Sequence, residues 1–180
     1  MTQSNYPIDR YWADTYMPAI EQLVRKVAHR IISFTIAPEQ EDTKQATDYL
    51  ITVETGKIAC RVRRPQCQFR DFTIRAWRKK GLKTELSKIK EGCVRWYIYA
   101  WAKDSKLLEN AVLVDLDRLR QSRLLERIDM EFWDTPPTIR YRLINGIDHR
   151  KNDDGPETGF VGIPLTMLRY HGCILEEVNN

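Results

Sequence analysis

The order of patterned segments predicts an α/β domain: a helix, a three-strand meander, a second helix and two further strands, with a small C-terminal extension. Three observations carry this expectation. Ile20, Leu23, Val24, Val27, Ile31 and Ile32 recur at three-and-four spacing, which lines one face of a helix over Ala19–Ser33. Three runs rich in β-branched residues follow, Tyr49–Glu54, Lys57–Arg63 and Asp71–Trp77, the first two meeting at the hairpin signal Thr55-Gly56. Beyond them lie a capped helical stretch from Thr84 to Glu91 and two apolar runs, Arg95–Trp101 and Ala111–Leu116.

Pro18 stands where a first helical turn tolerates proline, and Glu21, Arg25 and His29 share the polar side of that helix. Side chains alternate across a strand, so Ile58, Cys60 and Val62 take one face while Arg61 and Arg63 take the other. Phe72, Ile74 and Ala76 likewise oppose Asp71, Thr73, Arg75 and Trp77. Pro65 cannot donate to a ladder and belongs to the connection between the second and third runs. One face of the expected meander is thus apolar; the other mixes acids with arginines, and that polar face is where chemistry is expected. In the second helix Leu86 and Ile89 face inward and Gly92 ends the helix. Tyr97, Tyr99 and Trp101 share a face of the next strand, an arrangement suited to core packing and, as a second reading, to stacking on bases.

Arg118–Ile128 reads as a charged helix, with Asp115 and Asp117 placed to cap its start. Pro136-Pro137 marks a boundary, dividing a core of residues 1–135 from an extension of residues 136–180 packed on it. In the extension, Thr138–Leu143 and Phe160–Ile163 read as strands, Ile147–Thr158 as a polar loop, and Pro164 as the opening of a short helix over Leu165–Tyr170 ended by Gly172.

A chain of 180 residues with 42% hydrophobic content is long enough for one buried core. It has no run of eighteen apolar residues, and its N-terminus lacks the basic-then-apolar layout of a signal peptide, so neither a membrane span nor secretion is expected. Four cysteines at 60, 67, 93 and 173 show no paired spacing, which points to a reducing, cytoplasmic setting without a disulfide framework. The net charge of +4 conceals its distribution. Residues 57–106 hold fifteen Lys or Arg against four Asp or Glu, or +11, between flanks of −3 and −4. A cationic block of this kind is the footprint of a polyanion binder, DNA first among the candidates, although a solvated basic face has the same composition.

The chain contains no phosphate-binding glycine loop, nucleophile elbow or zinc-protease motif. His171-Gly172-Cys173 lacks the second pair that a structural zinc site needs, so helix termination beside a buried thiol is its better account.

Helix, three antiparallel strands, helix, strand and a further strand resembles the core of the PD-(D/E)XK nuclease superfamily, the restriction-endonuclease-like and Holliday-junction-resolvase-like group. That resemblance spans roughly residues 18–117. It implies Mg²⁺-dependent phosphodiester hydrolysis of DNA, and such folds occur in phage and mobile-element proteins. On that basis Asp48 matches the motif aspartate and would be the metal ligand, Glu21 matches the first-helix glutamate, and Arg61-Val62-Arg63 falls where Glu-x-Lys stands in the family. An arginine neither ligates a divalent cation nor serves as a general base. Two routes follow. A migrated carboxylate, Glu54, Asp71 or Glu85, completes the site with Lys88 in the lysine's place; otherwise the metal is lost and Arg61 and Arg63 grip phosphate directly. Arg64, Arg75, Lys79, Lys80 and Lys83 would hold the nucleic acid in either case. Simpler roles stand beside these: Asp48 capping the start of a strand or pairing with Arg61, and Asp71 forming a cross-strand pair with Arg63. Two further functions fit the same composition, a non-catalytic nucleic-acid-binding module and an assembly protein whose basic block meets acidic segments of its own copy as a homodimer.

Overall fold

The computed structural model describes residues 11–12, 14–27, 33–36, 49–52, 56–67, 69–79, 83–104, 107–152 and 158–179. In chain order the elements are α1 (Met17–Val27), β1 (Ser33–Ile36), β2 (Tyr49–Thr52), β3 (Ile58–Arg63), β4 (Asp71–Arg78), α2 (Glu85–Lys90), β5 (Trp96–Ala102), β6 (Leu108–Asp115), α3 (Leu116–Gln121), two 3₁₀ turns (Leu124–Arg127 and Glu131–Asp134), β7 (Tyr141–Ile144), β8 (Ile147–Lys151), β9 (Thr158–Pro164), α4 (Leu165–Tyr170) and β10 (Ile174–Asn179). They form a mixed α/β protein with two sheets. The first runs β1-β2-β3-β5-β6-β10 and the second β4-β9-β8-β7. All pairings are antiparallel except β3 with β5.

The expected three-strand meander is corrected at its third strand. The run Asp71–Arg78 does form a strand, but it leaves the first sheet and pairs with β9 in the second. The first sheet's meander is β1-β2-β3, and β3 then reaches its parallel neighbour β5 by way of β4 and α2. The cause of the departure is local. Pro65 sits in a turn closed by Cys67 N–H to Arg64 C=O at 2.9 Å, and Trp101 Nε1 then binds the Phe69 carbonyl at 2.9 Å, swinging the chain off the sheet before β4 begins.

Strands β3, β5 and β6 of the first sheet are covered on both faces. On one side Ile20, Leu23 and Val24 of α1 pack on Ile58, Cys60, Ile98, Ala100 and Leu113. On the other side Ala59, Tyr97, Tyr99, Trp101, Val112 and Val114 meet Phe72, Ile74 and Ala76 of β4 and Val161 and Ile163 of β9. Phe72 stands edge-on to Tyr97 and Tyr99 at 5.1 and 5.4 Å, a favourable aromatic geometry. Tyr97, Tyr99 and Trp101 are all at most 2% exposed, so they are core residues and cannot stack on bases.

Four more expectations change. The helix read over Arg118–Ile128 stops at Gln121, where Arg123 takes a left-handed φ of 60° and the chain continues as a 3₁₀ turn. The Ile147–Thr158 segment, read as a polar loop, supplies strand β8, because Ile147 and His149 face the core while Asp148 and Arg150 face away. Residues 136–180, read as an extension, supply β7, β8 and β9 of the second sheet and the edge strand β10 of the first. Finally, a β-bulge between Arg75 and Trp77 breaks the alternation of β4, and Trp77 packs against the core instead of joining Arg75. Thr84 caps α2 as expected, accepting from Ser87 N–H, and α4 spans Leu165–Tyr170 behind Pro164. No helix among the described residues is long and apolar enough to cross a membrane.

Candidate functional site

The polar residues expected on one sheet face meet between β3, β4 and α2. Arg61 shares a face of β3 with Ala59 and alternates with Cys60 and Val62, and its guanidinium forms an ion pair with Glu85 on the side of the second sheet. The other Glu85 bonds explain why a carboxylate is buried there. Its Oε1 also accepts from the Tyr97 hydroxyl at 3.1 Å, and its Oε2 accepts from the Arg75 backbone N–H at 2.7 Å. Arg61 in turn donates to the Thr73 carbonyl at 3.5 Å. Thr73 and Arg75 offer these backbone groups on the side of β4 away from β9, so one Arg–Glu pair occupies the positions a neighbouring strand would fill. A bare edge strand is a template for unwanted pairing, and this side-chain cap removes part of it.

Burial pushes the Glu85 carboxyl up, but the Arg61 charge, the Arg75 N–H, the Arg75 charge and the Tyr97 hydroxyl together outweigh it and hold the carboxyl below its ordinary range. Glu85 is therefore a charged, fully engaged structural group. Lys88, one turn along α2, is 5% exposed and buried with it.

Asp71 lies in a second network on the same strand. Its Oδ1 accepts from Thr73 Oγ1 at 2.6 Å and its Oδ2 from Arg150 Nη2 at 2.5 Å. Arg150 Nη2 also reaches Asp148 Oδ2 at 2.6 Å. Gly162 makes this possible: a Cβ there would overlap the Asp71 carboxylate and lie 3.2 Å from Arg150 Nη2. The expected Asp71–Arg63 pair is not formed, and Arg63 Nε instead donates to Cys67 Sγ at 3.2 Å. Arg150 and Gly162 are the site residues that sequence reasoning missed; the alternation of Ile147–Lys151 carries the only local signal for the first.

The remaining expected residues scatter. Glu21 sits on α1, on the opposite side of the first sheet from Arg61, and pairs with Arg25 at 2.5 Å. Lys83 is held by both oxygens of Glu91 at 2.8 and 2.9 Å. Arg64 is exposed, with its guanidinium 5.6 Å from the centre of the Trp12 ring. Asp48, Glu54 and Lys80 lie outside the described residues.

A divalent cation does not fit this donor set. Every oxygen of Glu85 and Asp71 already accepts from a protein donor, Arg61 cannot ligate, and no cluster of three acidic, histidine or cysteine ligands exists among the described residues. Cations are in the opposite condition. Among the described residues no carboxylate lies within ion-pair distance of Arg63, Arg75, Arg78 or Lys79. The Nε atoms of Arg75 and Arg78 are buried without a hydrogen-bond partner. Burial lowers the Arg75 pKa, Glu85 opposes that, and the neighbouring Arg78 and Arg61 add to the fall. Comparisons with protein-family models, curated proteins and solved structures give no match to this chain. The class that the fold defines is therefore the broad one, a two-sheet α/β protein with a cationic strand end.

Proposed function

We propose that this protein is a nucleic-acid-binding module of nuclease-like lineage that grips phosphates without cleaving them. One observation carries the reading. Both buried carboxylates of the expected catalytic set are saturated by protein donors, while Arg75, Arg78 and Lys79 run along the end of β4 with no carboxylate among the described residues in ion-pair contact, Glu85 acting on Arg75 only at longer range. The guanidinium fork suits phosphate oxygens, and a partly desolvated guanidinium outside any ion pair gains from an anion. The +11 block supports the same reading at longer range by steering a polyanion toward this end of the molecule.

Binding of labelled duplex and single-stranded DNA across a salt series tests the proposal. Affinity should fall with salt by about 0.9 log unit per log unit for each phosphate held on duplex. Replacing Arg75, Arg78 and Lys79 by Ala should weaken every sequence alike and flatten that slope by about one unit for each phosphate released. Cutting of DNA that requires Mg²⁺ and disappears in Asp48→Ala would overturn the non-catalytic reading and restore the hydrolase that the resemblance implies.

A further inference from the structure

Among the described residues no helix covers the outer face of the second sheet, and the side chains there form an ordered row. Register across the four strands aligns Tyr141 of β7 with Arg150 of β8, Arg150 with Phe160 of β9, and Phe160 with Arg75 of β4. Cross-strand partners share a face, so aromatic and guanidinium groups alternate across the whole sheet. Tyr141 and Phe160, two strands apart, are separated by about 10 Å. Between them the Arg150 guanidinium lies 3.9 Å from the centre of the Phe69 ring, and Arg75 lies 5.5 Å from that of Phe160. Phe69 and Tyr141 are 53% and 56% exposed.

This face is also prepared rather than merely exposed. The Trp101 indole holds the Phe69 carbonyl, and Asp71 and Asp148 clamp Arg150 from two sides. Tyr141 is fixed by its hydroxyl on Asp148 Oδ1 at 2.8 Å. Arg150 thus stands between both acids of the face, one positive charge to two negative ones, and the cations outside any ion pair among the described residues are Arg75, continued by Arg78 and Lys79. Flat apolar rings beside cations outside any ion pair match one ligand chemistry: a chain of phosphates whose bases are free to stack. A duplex keeps its bases stacked inside and offers only the phosphates.

We infer that this face binds single-stranded nucleic acid, stacking bases on Phe69, Tyr141 and Phe160 while Arg75 takes the backbone phosphate. The inference rests on the nucleic-acid reading above and adds its substrate class. Fluorescence anisotropy with single-stranded oligonucleotides, in DNA and RNA forms, against a duplex of the same sequence provides the test. The single strand should bind about tenfold tighter than the duplex. Tyr141→Ala and Phe69→Ala should each weaken single-strand binding about tenfold, equivalent to ~1.4 kcal/mol and within the range for one stacked base. Duplex binding should not change, and Tyr141→Phe should retain the single strand. Both rings are exposed, so these variants fold; Phe160→Ala, half-buried, is the supporting case. Tighter binding of the RNA form would assign the source through the 2′-hydroxyl. Equal binding of single strand and duplex, with ring variants silent, would overturn the inference and leave the phosphate grip intact. No binding to any oligonucleotide would remove both readings. Self-association abolished by Tyr141→Ala, with oligonucleotide binding unchanged, would make the face an interface between copies and overturn the inference.

Discussion

The central strands β3, β5 and β6 of the first sheet are sealed on both sides, by α1 on one and by the second sheet on the other, and β5 is accordingly buried from Tyr97 to Ala102 without a break. The second sheet is sealed on one side only, and β8 alternates, with Ile147 and His149 inside and Asp148 and Arg150 outside. Parallel and doubly covered strands read as continuous apolar runs, whereas half-covered antiparallel strands alternate. The consequence is functional as well as architectural. The doubly covered strands spend their aromatics on the core, and the half-covered sheet presents Tyr141 and Phe160, beside the Phe69 that precedes β4, to what lies outside. Where the two sheets meet, the free side of β4 is held by charge: Glu85 and Arg61 join strand β3, helix α2 and the edge of β4.

That junction should be the most sensitive point. Glu85→Ala leaves Arg61 without its counter-charge and frees the Arg75 N–H and the Tyr97 hydroxyl, so it should cost ~3–5 kcal/mol in urea unfolding. Glu85→Gln, which keeps an acceptor for the Arg75 N–H, should cost less. If the alanine variant were destabilised by less than about 1 kcal/mol, under a tenfold change in the unfolding equilibrium, the two sheets would not depend on this pair.

Within the second sheet, Gly162→Ala should cost ~1–3 kcal/mol by forcing the Asp71 carboxylate away from Arg150. Unfolding of the variant beside Asp71→Asn and the double variant would show whether both act through the same bond, since two effects on one bond do not add.

The sheets should also differ in acid. His149 is buried in the second sheet's core, its Nε2 accepting from Asp129 N–H at 3.0 Å and its Nδ1 facing the Ile147 carbonyl at 2.9 Å, so the imidazole is neutral with the proton on Nδ1. Burial lowers its pKa from the ordinary 6.5, against the raising effects of the Ile147 carbonyl, Asp129 and Asp148. Below pH 6.5 the unfolded chain takes a proton that the folded one refuses, so stability should fall as the pH drops, by at most ~1.4 kcal/mol per pH unit. Glu85 acts at lower pH. Its folded pKa lies under the ordinary 4.5, so its contribution is complete above that value and is lost as the pH falls through the folded one. A series of unfolding curves for His149→Gln should lose the first decline and keep the second.

The smallest effect belongs to the outer surface of α1. Arg25→Ala removes an exposed pair with Glu21 and should change stability by only ~0.3–0.5 kcal/mol, measurable as a slight shift of the midpoint. A larger loss would mean that the helix covering the first sheet is held by more than its apolar face.

Much of the local structure was legible in the residues. Short-range rules set the three-and-four spacing of Ile20, Leu23 and Val24, the Thr84 cap, the β-branched runs of β3 and β4, and Pro164 ahead of Leu165–Tyr170, and the structure contains each. Periodicity also fixed which residues share a face up to the bulge that turns Trp77 to the core. It could not fix which sheet a strand joins: β4 pairs with β9 across the distance from Asp71 to Pro164, and nothing in either strand names its partner. Glu85, Arg61, Asp71 and Arg150 show the same division. Alternation placed Arg61 and Asp71 on polar faces, but only the packing of α2 against β4 put Glu85 on a backbone N–H, and only β8 brought Arg150 to Asp71. Composition determined that this chain carries a cationic middle. Tertiary structure decided which cations are spent on carboxylates and which remain, because charge neutralisation depends on distance through space and sequence records distance only along the chain.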